Sequence, residues 1–321
     1  MNENDLKHGA ILKSPKKQIK EHQIRSYVGM SSIPYDWSKP LITGYTQPIK
    51  NQFQASMCGG EMIAQMIQMY RTLVLGKPFE ELSAPSFYSQ GYAIGGGMTM
   101  QQIVEGISFE GITTEKNVPT FPACTEAQAR DISWRTDKNI QDCLMRAGLQ
   151  IVSVSRNINL MAQTIRDNKC LGMMLGGSND GTWLSIKPVP PSVSAQWFHY
   201  MAASPNIPAM NINKWLPFYQ SWGEGVGDKG IQYFGENYIN SGYIYDTFTL
   251  TKFLFLKDLS FGSFGTDVKY LQTRLGMPMD TWGFGIFGPK TKAAVIAYQK
   301  AHGIIQTGYV GQITRGSLNS N

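Results

Sequence analysis

Apolar residues recur at spacings of three and four through Met62, Ile63, Met66, Ile67, Tyr70 and Leu73, which lines one face of an α-helix. The pattern predicts an amphipathic helix beginning just after Cys58-Gly59-Gly60. Met100, Ile103, Val104 and Ile107 repeat it behind the run Gly95-Gly96-Gly97, with Gly111 as the stop. A third helix is expected over residues 137–146. Beyond it the period changes: residues 149–154, 171–175 and 197–203 are short apolar runs separated by Gly, Pro, Ser and Asn, and read as strands. Helices first and strands later predict an α+β fold, a helical half and a sheet half meeting at a seam where a cleft forms. Near Leu250 the texture shifts again. Val268, Leu271 and Leu275, then Val295 and Tyr298, mark the helices and core of a small all-α domain. Pro289 after Gly288 starts one helix there, and Gly303 after His302 stops it. The expected organisation is an extended polar arm over residues 1–30, a main domain over 31–250 and a small domain over 253–321.

Composition narrows the classes. Of 321 residues 42% are hydrophobic and 16% charged, which excludes wholesale disorder. No apolar stretch approaches the ~20 residues needed to cross a bilayer, so no membrane span is expected. Residues 1–20 contain no apolar run of signal-peptide length, so the chain is expected to begin in a cytoplasm without a secretory signal. Cys58, Cys124, Cys143 and Cys170 lie far apart with no CxxC pattern, which predicts free thiols and neither a metal nor a cofactor. The net charge is +6, and residues 253–321 carry seven Lys/Arg against three Asp, leaving only +2 elsewhere. No RNA-binding or helix-turn-helix signature accompanies that surplus, so nucleic acid is not the expected partner. Anionic cell-wall polymers suit the charge, and a solvated face accounts for it equally well.

Cys58 stands at a predicted helix N-terminus, where free backbone N–H groups and the helix dipole stabilise a thiolate. Taken alone it reads as readily as a small buried hydrophobe. A thiolate nucleophile needs an imidazole partner. Of the four histidines, His8 and His22 lie in the arm and His302 in the tail, which leaves His199 on an apolar strand-like segment where a core histidine is the plain alternative.

The run Ile49-Lys50-Asn51-Gln52-Phe53-Gln54-Ala55-Ser56-Met57-Cys58 resembles the segment leading to the nucleophile in papain-like cysteine peptidases. His199 follows Cys58 by 141 residues, inside the ~130–150 interval of that family. The resemblance implies Gln52, six residues before Cys58, as a side-chain donor to an oxyanion. Gln220-Ser221-Trp222-Gly223 resembles the family's Asn-Ser-Trp-Gly stretch, with Gln in place of Asn. It implies Gln220 as the group that orients the imidazole and Trp222 as its shield. Gly96 and Gly97, followed by a helix and Val118-Pro119, resemble the glycine pair that takes up substrate backbone. A helix entry explains the same glycines. The GxGxxG match at Gly225–Gly230 is a turn, because a strand-like alternation follows it instead of a helix. Ala55 and Gly59 depart from the family's disulfide Cys and Trp, and the arm is shorter than the usual inhibitory pro-segment. Both fit a reduced, cytoplasm-made enzyme with no zymogen step.

The tail resembles the three-helix peptidoglycan-binding domain of cell-wall hydrolases, through Phe264-Gly265-Thr266-Asp267-Val268, Gly285-Ile286-Phe287-Gly288-Pro289-Lys290-Thr291 and Thr307-Gly308-Tyr309-Val310-Gly311. Asp280, Trp282, Phe284 and Tyr309 are the implied contact residues. Together the resemblances imply a cysteine peptidase cutting peptide bonds in peptidoglycan or wall-associated protein, released as a phage lysin or carried on a virion with virion proteins as partners. The rival is a catalytically inactive papain-like fold serving as a wall-binding or virion structural protein.

Overall fold

The computed structural model describes residue 10, residues 25–26, 33–179, 182–184, 195–209 and 214–320. The arm expected over residues 1–30 therefore lies outside the described residues except at Ala10 and Arg25–Ser26. The chain forms two compact units, each discontinuous in sequence. One gathers residues 1–103, 114–134 and 151–251, the other residues 104–113, 135–150 and 252–321.

In the first unit, helix α1 (Cys58–Met69) is buried along its whole length, as a helix apolar on most sides must be. A wider turn of π type continues it over Tyr70–Val74. Helix α2 (Ala84–Tyr88) starts on Ser83, whose hydroxyl accepts the Ser86 N–H. Helix α3 (Met100–Glu105) runs toward the unit boundary. Helix α4 (Glu126–Arg130) opens on a reciprocal capping box between Thr125 and Gln128.

Helix α5 (Asp137–Leu144) belongs to the second unit. Helix α6 (Ile158–Asn168) and helix α7 (Glu236–Ile239) return to the first. The strands are β1 (Arg25–Ser26), β2 (Leu149–Ser153), β3 (Gly172–Gly177), β4 (Trp197–Ala203), β5 (Leu216–Tyr219), β6 (Ile231–Phe234) and β7 (Ile244–Lys252). They form one sheet in the order β1-β2-β7-β3-β4-β5-β6.

The expected succession of helices and then strands needs correcting. α6 lies between β2 and β3, and α7 between β6 and β7. The signal for α6 was present: Asn157 caps it, and Ile158, Met161, Ala162 and Ile165 give its buried face. β3 pairs antiparallel with β4 from Gly172↔Ala202 to Gly177↔Trp197, which sets Leu175 opposite His199. β3 is buried at every residue. Gly177 has no room for a side chain, because a Cβ there would lie 2.1 Å from the Trp197 ring. That ring belongs to an aromatic cluster with Trp183, Trp222, Phe234 and Tyr238 at the centre of this unit's core.

In the second unit a π-type turn over Gly106–Glu110 ends at Gly111, whose φ of +74° favours glycine. Helices α8 (Thr266–Arg274), α9 (Pro289–Ala301) and α10 (Gln312–Ser320) share a core with Phe109. Phe253 stacks on Tyr270 at 3.7 Å, and the Tyr270 hydroxyl meets Ser108 Oγ at 2.8 Å. Val268, Leu271 and Val295 are buried as expected, whereas Leu275 and Tyr298 are only half-buried against that core. Two buried glutamines pin the turns. Gln272 bonds Gly283, Gly285 and Ile286 of one turn, and Gln299 bonds Gly308 and Tyr309 of the next. Such fully used amides stabilise a short turn that has little apolar surface of its own.

Candidate active site

Cys58 is the first residue of α1 and is fully buried. Three backbone links tie the chain entering this helix to the segment after β5. The Gln52 N–H donates to the Ser221 carbonyl at 2.8 Å, Asn51 bridges Trp222, and the Gly223 N–H donates to the Lys50 carbonyl at 3.1 Å. Two motifs some 169 positions apart are thereby held in register. The Ser221 hydroxyl donates to Gln52 Oε1 at 2.9 Å and stands 3.3 Å from His199 Nε2. Trp222 stacks on the His199 ring at 4.4 Å and 24°, and Trp197 meets that ring edge-on. His199 lies on β4, against which α1 packs. The phenol of its neighbour Tyr200 is pushed well above its usual range by burial and, to a lesser extent, by Asp246 and Cys58.

Gln52, His199, Ser221 and Trp222 thus form one buried, linked group beside the α1 N-terminus. Gln220 is buried in the adjoining layer, but its amide nitrogen donates to Gln232 at 3.4 Å and its Oε1 accepts no hydrogen bond among the described residues. The hydroxyl that touches His199 comes from Ser221, which residue-type reasoning passed over because it looked first for an amide. Gly59 stands where the family pattern has Trp, and Met98 fills the space, its Sδ 3.1 Å from the position of a Cβ on Gly59.

Gly96 and Gly97 sit at φ +103° and +82° in a turn closed onto Ala93. The Gly97 N–H donates to the Tyr88 hydroxyl at 2.8 Å, and Tyr88 in turn donates to Glu126. Glu126 also accepts the Ser56 N–H at 2.6 Å and pairs with Arg130. The Glu126 carboxylate therefore fastens the glycine turn to a residue two positions before Cys58. Sequence reasoning missed both Tyr88 and Glu126.

It also missed a buried charge group beneath α1. Lys50 Nζ donates to Glu81 at 3.2 Å, Glu115 at 3.1 Å and the Leu82 carbonyl at 2.9 Å. Glu61, one turn after Cys58, is fully buried, and neither oxygen has a hydrogen-bond partner among the described residues. Burial pushes its carboxyl up to about 8; Lys50 pulls it back, while Glu115 and Glu81 push it further up.

All four cysteines are free and buried. Burial raises Cys124 and Cys170 to about 11 and Cys143 to about 12, which leaves those three thiols protonated and inert at neutral pH. Among the described residues no helix is long and apolar enough to cross a membrane, and no group of three His, Cys, Asp or Glu could hold a metal.

In the second unit Asp280 is exposed. Trp282, 90% exposed, borders a cavity of about 480 Å³ together with Phe261, Ile286 and Lys290, while Phe284 is half-buried. Tyr309 lies at a different cavity of about 470 Å³ and donates its hydroxyl to Asp258.

Residues 264–318 match the family described as putative peptidoglycan binding domain. In three dimensions the chain is similar to xylellain, a cysteine protease from Xylella fastidiosa, at 16% identity and a TM-score of 0.59 over 78% of this chain and 97% of that one. It is similar to proCathepsin B S9 from Trypanosoma congolense at 14% identity and a TM-score of 0.56, over 78% and 88% of the two chains. A digestive procathepsin L 3 of Tenebrio molitor larval midgut gives 16% identity and a TM-score of 0.55, over 73% and 76%. No curated protein sequence matches the chain significantly. At these identities the likeness is one of fold. The chain has the α+β fold of the papain-like cysteine proteases, with a helical C-terminal region that matches a peptidoglycan-binding family.

Proposed function

We propose that the chain is a cysteine peptidase acting on peptide bonds in peptidoglycan or wall-associated protein. The observation that carries this reading is the linked set Gln52–Ser221–His199–Trp222 beside the first residue of α1. In the proposed reaction Cys58 Sγ forms a bond to the scissile carbonyl carbon, and the carbonyl electron pair moves onto oxygen. The Cys58 backbone N–H and the Gln52 amide hold that oxyanion. His199 takes the thiol proton and delivers it to the leaving amine as the C–N bond breaks. Water, deprotonated by the same ring, then hydrolyses the thioester. Ser221 fixes which end of the Gln52 amide serves as donor, and Trp222 keeps water off the imidazole. Gly96 and Gly97 offer main chain to an extended substrate.

The setting we favour is a phage lysin, released to the wall or carried on a virion, with synthesis in the cytoplasm. Mass spectrometry of purified particles and culture supernatant tests this. Recovery of the chain in healthy cytosol alone overturns it.

The second reading, an inactive fold with a wall-binding or virion structural role, draws on the Gln220 amide being engaged by Gln232. Labelling with iodoacetamide separates the two. An activated Cys58 is expected to react at least about tenfold faster than Cys124, Cys143 or Cys170, whose thiols are raised by burial. Equal, slow labelling of all four supports the inactive fold.

For the tail, Asp280, Trp282 and Tyr309 are the proposed wall contacts. Trp282→Ala in the full chain is expected to cut co-sedimentation with purified sacculi several-fold at raised salt, with the melting temperature unchanged because the ring is 90% exposed. Undiminished binding removes Trp282 from the contact set.

A further inference from the structure

Phe53 directly follows Gln52 and holds a backbone conformation that a bulky side chain rarely takes. Its φ is +50°, in the left-handed region where Cβ crowds the following carbonyl. Three hydrogen bonds keep it there. The Phe53 N–H donates to Asn51 Oδ1 at 2.9 Å, the Ala55 N–H closes the turn onto the Gln52 carbonyl at 2.9 Å, and the Gln52 N–H is held by the Ser221 carbonyl at 2.8 Å. A second turn braces the first. The Gln54 N–H donates to the Cys124 carbonyl at 3.0 Å, and the Cys124 N–H closes its own turn onto the Phe121 carbonyl at 3.0 Å, with Ala123 at φ +55°. Two strained residues other than glycine thus lie on a pair of turns tied backbone to backbone. Each turn also shows an aromatic ring to solvent, Phe53 at 37% exposure and Phe121 at 49%, whereas Gln52, Ala55 and Cys58 are completely buried.

We infer that Phe53 is a specificity-determining residue, an apolar platform at the rim of the candidate site that takes an apolar side chain of the substrate residue lying along the Gln52 amide. This rests on the peptidase reading above and deepens it. Glycine would hold the same turn at no steric cost, and asparagine at little. The fold alone therefore gives no reason for a phenyl ring at this point, and strain that the surrounding structure maintains where a relaxed residue would serve is a mark of functional sites. Position supplies the function. The Gln52 amide is the side-chain donor assigned to the oxyanion, and a single peptide unit, about 3.8 Å between Cα atoms, separates it from Phe53. A substrate whose carbonyl oxygen reaches that amide brings an adjoining side chain to the ring. Fixed polar groups that orient a ligand beside apolar surface that selects it are the usual composition of a binding cleft. Phe121, on the braced second turn, extends the apolar rim.

The test alkylates the full chain with iodoacetamide and with iodoacetanilide, which has the same reactive carbon and adds a phenyl ring on the amide nitrogen. Cys58 rates are read by peptide mass spectrometry. The anilide rate divided by the amide rate, with each first divided by its rate on free cysteine, isolates what the protein does for the added ring. Phe53→Gly and Phe53→Asn are each expected to lower this ratio about fivefold from the wild-type value, the size of one aromatic contact. Phe53→Tyr, which keeps a ring, is expected to retain the wild-type ratio. An equal ratio in wild type, Phe53→Gly and Phe53→Asn overturns the inference, and a lowered melting temperature in the same two variants would then make Phe53 a packing residue. If Cys58 still outpaces Cys124, Cys143 and Cys170 with both reagents, the peptidase reading stands without it. If all four thiols stay equally slow in wild type, both readings fall.

Discussion

Cys58→Ala is expected to lower peptide hydrolysis by about 10⁴-fold or more, and His199→Ala by a comparable factor, because a nucleophile and its base act as a unit. The double variant is expected to be no slower than the worse single one. Additive losses would mean that the two residues serve separate steps, against the shared proton transfer drawn here. His199 is stacked on Trp222 in a buried cluster, and its removal leaves a cavity that destabilises the unit by about 2–4 kcal/mol. A melting curve therefore accompanies each rate. Cys58→Ala, the smaller change, is the decisive variant: undiminished hydrolysis in it removes the nucleophile.

Glu61→Gln is expected to stabilise the protein at neutral pH. In the native state the carboxyl is held at about 8 against an ordinary value of 4.5, chiefly by burial. It therefore stays protonated while the unfolded chain releases the proton from about pH 4.5 upward. The unfolded state then binds fewer protons, so stability falls as pH rises and levels off only above about pH 8. At 1.36 kcal/mol per unit, the cost at pH 7 is about 3 kcal/mol. A neutral amide of the same shape does not incur it. Unfolding free energies of wild type and Glu61→Gln from urea titration should coincide near pH 4 and separate by about 3 kcal/mol at pH 7. A gap that is constant across this range would mean that packing, not ionisation, sets the difference. Lys50, Glu81, Glu115 and Cys124 face the same buried region. Lys50→Met is expected to leave the gap at pH 7 nearly unchanged and to carry the fall in stability beyond pH 8, because its cation is what pulls Glu61 back toward ionisation.

The linear sequence determined the elements whose periodicity is local. α1 follows from the three-and-four spacing behind Cys58, the stop of the π-type turn at Gly111 from the backbone freedom of glycine, and β4 from a run of seven apolar and aromatic residues. It also determined which residue types were available for chemistry, since four cysteines and four histidines leave few pairings. Other features depend on contacts between distant segments and have no local signature. Glu61 occupies a helix face that looks polar in sequence, yet tertiary packing closes over it and raises its proton affinity. Ser221 became the residue that contacts His199 because the backbone register between residues 50–52 and 221–223 turns its hydroxyl toward both Gln52 and the imidazole. Gln220, favoured by residue type, is turned toward Gln232 by the same register, since successive residues in extended chain point to opposite sides. The second unit takes in residues 104–113 and 135–150, because burying Phe109 beside Phe253 and Tyr270 needs apolar surface from distant parts of the chain.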